Sequence, residues 1–333
     1  MRGPRSGLAG GLRRLRAQVL RICGLPLALL LARLARRSDR HVGVAVVYHR
    51  VDDPPGDPRR ELVPAMGTSL FAAQVRHLCS HYRVTIASEL LGAIRDRRRG
   101  NPFAVAITFD DDLPTHAAVV VPILASAGAT ATFFLSGASL QGPYRFWWER
   151  LQAAVDRRLD LASLSIATPR RATAIHELGR TIETLPPTAR RTVEGELERI
   201  AGPDPPDAGL RAEHLQRLVD AGVEIGFHTR RHELLPLLDD EDLARAMDEG
   251  RGELGAVVGR PLTSIAYPHG GADTRVAAAA RSAGFEAGFT GRPGIVTSEA
   301  DPLLLPRLNP SYSSLGEFAF DVAWTIFRAT AQR

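Results

Sequence analysis

The sequence contains no lysine and only two cysteines, and near its amino terminus the apolar run is short. Each shortage excludes something. Cys23 and Cys79 cannot build a disulfide framework or a thiolate metal site. The apolar stretch between Arg21 and Arg33 holds 11 uncharged residues, short of the roughly 18 to 20 that a simple membrane-spanning helix needs. Because all 42 basic residues are arginine, arginine frequency reflects composition and carries no functional message by itself.

What is present is an ordinary globular balance. The chain has 333 residues, 44% hydrophobic and 24% charged, enough for about two domains or one α/β barrel. The net charge of +5 is unevenly placed: residues 1–40 hold ten arginines against Asp39, so the other 293 residues carry −4. Basic character confined to a tail, with no recognition motif beside it, argues against nucleic-acid binding.

In that tail, Leu12, Leu15, Val19 and Ile22 recur at helical spacing among Arg13, Arg14, Arg16 and Arg21, the pattern of a basic amphipathic helix. Pro26 is expected to interrupt it, and a second stripe at Leu27, Leu30, Leu31 and Leu34 leads into Arg36 and Arg37. No cleavage site of the A-x-A kind follows, since Ala32-Arg33-Leu34-Ala35 has a charge inside it. The favoured reading is peripheral association of residues 1–40 with an anionic membrane surface or cell envelope. An export signal and a solvated or packed helix are the alternatives, and the side of the membrane stays open.

From residue 41 to 333 the pattern is that of one barrel. Apolar, β-branched runs at Val42 to Tyr48, Phe103 to Phe109, Ala129 to Leu135, Val223 to Phe227, Leu262 to Tyr267 and Phe285 to Thr290 read as buried strands. Helical patterns alternate with them at Leu70 to Ser80, Thr115 to Ala127, Leu210 to Ala221, Asp240 to Val258 and Thr274 to Ala283. Gly128, Gly222 and Gly284 stand where helices should stop. This alternation predicts an α/β fold, an irregular (β/α) TIM-like barrel with helices outside. The stretch from about 141 to 209 has helical segments and no strand-like run, and reads as a helical insertion. Trp147 and Trp148 at its start are read as anchors of those helices, with stacking on a sugar ring as the alternative. The last 20 residues read as an amphipathic helix on the body.

In such barrels chemistry gathers where strands end. Phe103 to Phe109 runs into Asp110-Asp111-Asp112, Val223 to Phe227 into His228-Thr229-Arg230-Arg231-His232, Leu262 to Tyr267 into Pro268-His269-Gly270, and Val42 to Tyr48 into His49. Two imidazoles and a carboxylate can hold a divalent cation while an adjacent carboxylate moves protons. Each item alone has a bland reading: a chance His pair, a solvated acidic turn, a structural His49. Their conjunction and order carry the inference.

That ordered set resembles the polysaccharide deacetylase family, the NodB-homology domain. Its T-F-D-D-G motif is matched by Thr108-Phe109-Asp110-Asp111 and departs at Asp112; H-[ST]-x-x-H is matched by His228 to His232; the P-x-G ending is matched by Pro268-His269-Gly270. The resemblance implies that Asp110 is the catalytic base and that Asp111, His228 and His232 bind the metal, most often Zn²⁺, with Co²⁺ or Ni²⁺ as alternatives. It implies removal of N-acetyl groups from an amino-sugar glycan, with the His269 backbone N–H, and the Tyr267 and Pro268 turn around it, serving the oxyanion and substrate. Asp112 is expected to take the left-handed conformation of the glycine it replaces. An arginine of the third motif is absent at Ile265-Ala266-Tyr267, and the late L-x-H motif is replaced by Leu305-Pro306-Arg307. His49 is therefore the candidate general acid. An impaired glycan-binding protein and an O-acetyl esterase are the alternatives. The glycan is not specified: chitooligosaccharide, peptidoglycan, poly-N-acetylglucosamine and lipid-linked sugar all fit.

Overall fold

The computed structural model describes residues 5–164 and 175–331. The strands are β1 (Val42–Tyr48), β2 (Arg83–Thr85), β3 (Ala104–Asp110), β4 (Thr132–Leu135), β5 (Glu224–Phe227), β6 (Ser264–Ala266), β7 (Ala287–Phe289) and β8 (Val296–Thr297). The helices are α1 (Arg5–Ala35), α2 (Thr68–His81), α3 (Leu90–Arg95), α4 (Val121–Ser126), α5 (Trp147–Asp156), α6 (Ile175–Glu183), α7 (Pro187–Ala201), α8 (Ala212–Asp220), α9 (Asp240–Asp248), α10 (Arg251–Val258), α11 (Thr274–Ser282) and α12 (Leu315–Ala331).

Every residue of β1 and β3 is buried, which is why both read as continuous apolar runs and not as alternating ones. The strands form one curled sheet in the order β7-β6-β5-β4-β3-β1-β8, parallel except where β8 meets β1. On one side of β3, β2 lies along its first half and β4 along its second. Residues 305–308 then close the gap between β7 and β1. Leu305 N–H donates to the Gly288 carbonyl and Leu308 N–H to the Ala45 carbonyl, both at 2.8 Å. The result is the irregular α/β barrel that the alternating pattern predicts. The strands β2 and β8, three and two residues long, are too short to leave a periodic signal.

Helix ends follow the expected chemistry. Gly128, Gly222 and Gly284 have φ of 60°, 68° and 79°, the left-handed stop that glycine adopts without strain. Asp239 and Asp273 cap α9 and α11 by accepting the N–H groups of Asp242 and Val276. Two expected helices differ. The pattern Asp240 to Val258 divides at Gly250, whose φ is 80°, into α9 and α10. Thr115 to Ala127 begins as a π-helical turn, His116–Val120, and only then becomes α4. Pro122 lies at that junction and has no N–H to donate, so the wider turn absorbs the missing bond.

Among the described residues of the 141–209 stretch there are helices and no strand. Phe146, Leu151, Leu178, Ile182, Val193 and Leu197 give α5, α6 and α7 a small core of their own. At the other end, α12 lays Phe318, Val322 and Ile326 into the barrel core, as its spacing predicts.

The tail departs from expectation. α1 runs through Pro26 without interruption, because the proline sits on the exposed side and α12 supports the inner side. That inner side is Leu20, Gly24 and Ala28, packed on α12 at Gly316, Ala319 and Ala323, while Ala35 joins the barrel core. Leu15, Val19 and Ile22 point away from the protein. Side chains before Leu15, including those of Leu12, Arg13 and Arg14, lie outside the described residues. By length and composition, Leu15–Ala35 is long and apolar enough to cross a membrane.

Candidate active site

The parallel strands deliver their ends to one rim. Asp110 is the last residue of β3, His49 follows β1, His228 follows β5, and Pro268-His269-Gly270 follow β6 within one residue. Asp110, Asp111, His49, His228, His232 and His269 line one cavity of about 430 Å³.

Asp111, His228 and His232 are buried, and their ligand-capable atoms lie within 4.8 Å of one another. Asp111 Oδ1 is 3.7 Å from His228 Nε2 and 3.4 Å from His232 Nε2. His228 donates its Nδ1–H to the Ala266 carbonyl at 2.8 Å, which orients its ring so that Nε2 faces Asp111. Burial first, then His228 and Arg190, push His232 well below the ordinary imidazole range, so it is neutral. Asp111 Oδ1 is buried and accepts no hydrogen bond among the described residues. A carboxylate oxygen left in that state is costly unless a cation takes it. Two imidazoles and one carboxylate are the donor set of a Zn²⁺-type site, so these residues fit a divalent cation.

The backbone around these side chains is strained. Among the described residues five non-glycine positions have positive φ, and four lie here: Asp111 at 75°, Thr229 at 51°, His232 at 49° and His269 at 56°. Each costs on the order of 1–3 kcal/mol, and such strain gathers where function fixes a geometry. The left-handed residue of the acidic run is therefore Asp111 and not Asp112. Asp112 is a buried anchor that accepts from Ser136 N–H and Ser136 Oγ–H at 2.8 Å, tying the turn after β3 to the end of β4. Beneath the turn, His116 Nε2 lies 3.0 Å from the carbonyls of both Asp110 and Asp111. Burial lowers this imidazole to about 4, so it serves as a neutral donor to those carbonyls.

Asp110 has a partner that sequence reasoning left without a role. Arg307 donates to both carboxylate oxygens, NH1 to Oδ1 and NH2 to Oδ2, each at 2.7 Å, with both side chains buried. Burial alone would raise the Asp110 carboxyl; Arg307 first, then His228 and His49, hold it well below the usual carboxylate range instead. Asp110 is thus held by an arginine from the segment that closes the barrel, while the third motif supplies none. The extended register of residues 305–308 aims its side chain inward.

The helical stretch reaches the same site. Arg190 of α7, buried, donates to the His232 carbonyl at 2.7 Å and is braced by Glu194 at 2.8 Å. Glu183, the last residue of α6, lies 3.3 Å from His269 Nδ1. Trp148 packs its ring 4.5 Å from the His232 ring, and Phe146 stacks on Trp148 at 4.4 Å. Trp147 and Trp148 are both buried, anchoring the helices while lining the cavity. Arg190 and Glu183 carry no motif; their only sequence signal is a charged residue on a helix whose place in the fold is not yet known.

Two expected participants stand apart. Tyr267 is buried, its hydroxyl donating to the Leu303 carbonyl at 2.8 Å, and it does not line the cavity. Pro268 is buried at the start of the turn that carries His269 and does not line it either.

Residues 97–288 match the sequence profile of a family described as Polysaccharide deacetylase. No curated protein matches the chain. Among solved structures, the Streptococcus pyogenes deacetylase PplD, determined in complex with acetate, is 16% identical with a TM-score of 0.57, over 85% of this chain and 98% of that one. IcaB from Ammonifex degensii is 17% identical with a TM-score of 0.55, over 85% and 98%. BC0361, a polysaccharide deacetylase from Bacillus cereus, is 16% identical with a TM-score of 0.55, over 84% of this chain and 69% of that one. At such identities the likeness is one of fold.

Proposed function

The chain belongs to the polysaccharide deacetylase family, and from that premise we propose that it is a divalent-metal hydrolase removing N-acetyl groups from an amino-sugar glycan. The observation that carries this reading is the buried Asp111, His228 and His232 set beside an Asp110 held by Arg307. Those three residues would hold the cation, Zn²⁺ by its donor set, with Co²⁺ or Ni²⁺ also accepted. When bound, such a cation polarises the acyl carbonyl and brings the pKa of water toward about 7.

The chain's own residues do the rest. Asp110, fixed in orientation by Arg307, takes the proton from the attacking water as its oxygen bonds to the acyl carbon. The His269 N–H, in a turn whose next two N–H groups are used by the Tyr267 and Pro268 carbonyls, donates to the developing oxyanion. His49, on the same cavity wall, protonates the nitrogen as the carbon–nitrogen bond breaks, and acetate and a free amine leave.

The test is elemental analysis of the purified protein beside the double variant His228→Ala/His232→Ala, with acetate release from N-acetylglucosamine oligomers measured on both. Near-stoichiometric metal and acetate release in the wild type, both lost in the variant, is the expected result. Metal without acetate release from any amino-sugar oligomer would redirect the reading to O-acetyl esters. No metal even after reconstitution would sink the enzymatic reading in favour of a glycan-binding protein on this scaffold.

A further inference from the structure

α1 uses only one side on α12, and its other side is apolar. Leu15, Val19, Ile22 and Leu30 are 56%, 48%, 79% and 54% exposed. At about 100° per residue they share a sector about 80° wide, and at about 1.5 Å per residue it runs about 22 Å along the helix. On α12, Trp324 is 40% exposed as well, stacked between Phe320 at 6.0 Å and Phe327 at 6.1 Å.

The charges around this face are of one sign. Arg33 continues the same sector toward its carboxyl end, Arg37 follows in the turn after the helix, Arg21 lies on the edge of the side that meets α12, and Arg328 lies one turn beyond Trp324. All four are exposed, and none makes an ion pair among the described residues. Arg16, on the flank nearer α12, is bound to Glu317 and Asp321. No carboxylate occurs between Leu15 and Arg37, so the α1 of a second copy laid on this sector would press arginines on arginines. A large apolar face rimmed by free cations suits lipid, with leucines at acyl depth and arginines and a tryptophan at the headgroups.

We propose that the paired helices α1 and α12 form a membrane-docking face that lies in the headgroup region of an anionic lipid bilayer and tethers the barrel there. The proposal does not depend on the catalytic reading. It differs from the sequence expectation in its parts, because α12 supplies the aromatic anchor and the small residues at Gly24, Ala28, Gly316 and Ala319 hold α1 to it.

Tryptophan fluorescence makes the test direct. Of the three tryptophans, Trp147 and Trp148 are buried, so a blue shift on adding vesicles reports Trp324. The full chain is mixed with vesicles of phosphatidylcholine, alone or with one third phosphatidylglycerol, at two salt concentrations. Expected are a blue shift and co-sedimentation at least about ten-fold stronger with the anionic vesicles and weakened by salt. Trp324→Phe removes the shift, and Ile22→Glu/Leu30→Glu lowers sedimentation about ten-fold or more. These positions are exposed, so the thermal melt should be unchanged. No vesicle binding, equal binding to both vesicles, or a blue shift that persists in Trp324→Phe would overturn the proposal. So would concentration-dependent dimerisation that the double variant abolishes, which would give the face to a second copy.

Discussion

Asp110 is a carboxylate almost entirely removed from water, and Arg307 is what allows it to stay ionised there. The pair is asymmetric in consequence. A buried ion pair adds little net stability when intact, but losing one partner strands the other charge, at about 3–5 kcal/mol. Arg307→Ala should therefore destabilise the barrel by that order in chemical denaturation. Arg307→Lys keeps a charge but loses the two-pronged grip. It should stay folded, with kcat for acetate release down at least about ten-fold and KM little changed, because Asp110, the proposed base, is mis-aimed while the cavity stands. Equal loss through KM would mean that Arg307 meets substrate and does not position Asp110.

At the scale of elements, the helices α5 to α7 act on the proposed metal site without supplying a ligand. Arg190 fixes the His232 carbonyl, at a residue whose φ is 49°. Arg190→Ala should weaken metal affinity by about 10–100-fold, as loss of an outer-shell partner does, measured by titration of the metal-free protein with Zn²⁺. The same helices carry a pH-dependent cost. Burial raises the Glu149 carboxyl to about 7 from its ordinary 4.5, although it accepts the Phe146 N–H at 3.0 Å. The folded state thus keeps this proton to a higher pH than the unfolded chain does. Its contribution is complete below about pH 4.5, declines as pH rises to about 7, and is level above that. Glu149→Gln keeps the acceptor and removes the charge. Its stability should match the wild type near pH 4 and exceed it by on the order of 3 kcal/mol at pH 8, read from urea midpoints at the two pH values.

At the scale of the whole molecule, what could be read from the sequence was whatever a local pattern carries. Buried strands such as Val42–Tyr48 announce themselves because both faces of the sheet are covered, and the acidic motif and the histidine motif are each contained in a stretch of no more than five residues. Arg307 was not legible as a partner of Asp110, 197 positions away, because its role comes from the register of a segment that closes the barrel. Arg190 needed the placement of α7 for the same reason. For α1 the periodicity was legible and its direction was not: a helix with no charge from Ile22 to Ala32 has apolar residues all round, so composition cannot say which side meets α12. Glycine decides it. A Cβ on Gly24 would stand 2.3 Å from the Gly316 carbonyl oxygen, on backbone that cannot swing away. Gly24→Val should therefore lift α1 from α12 while leaving the barrel intact, since α12 faces the core through other residues. Hydrogen exchange should rise at least about ten-fold in α1 amides and stay unchanged in β1 and β3, with acetate release from a soluble glycan at the wild-type rate. Faster exchange in β1 would mean instead that α1 belongs to the cooperative core of the barrel.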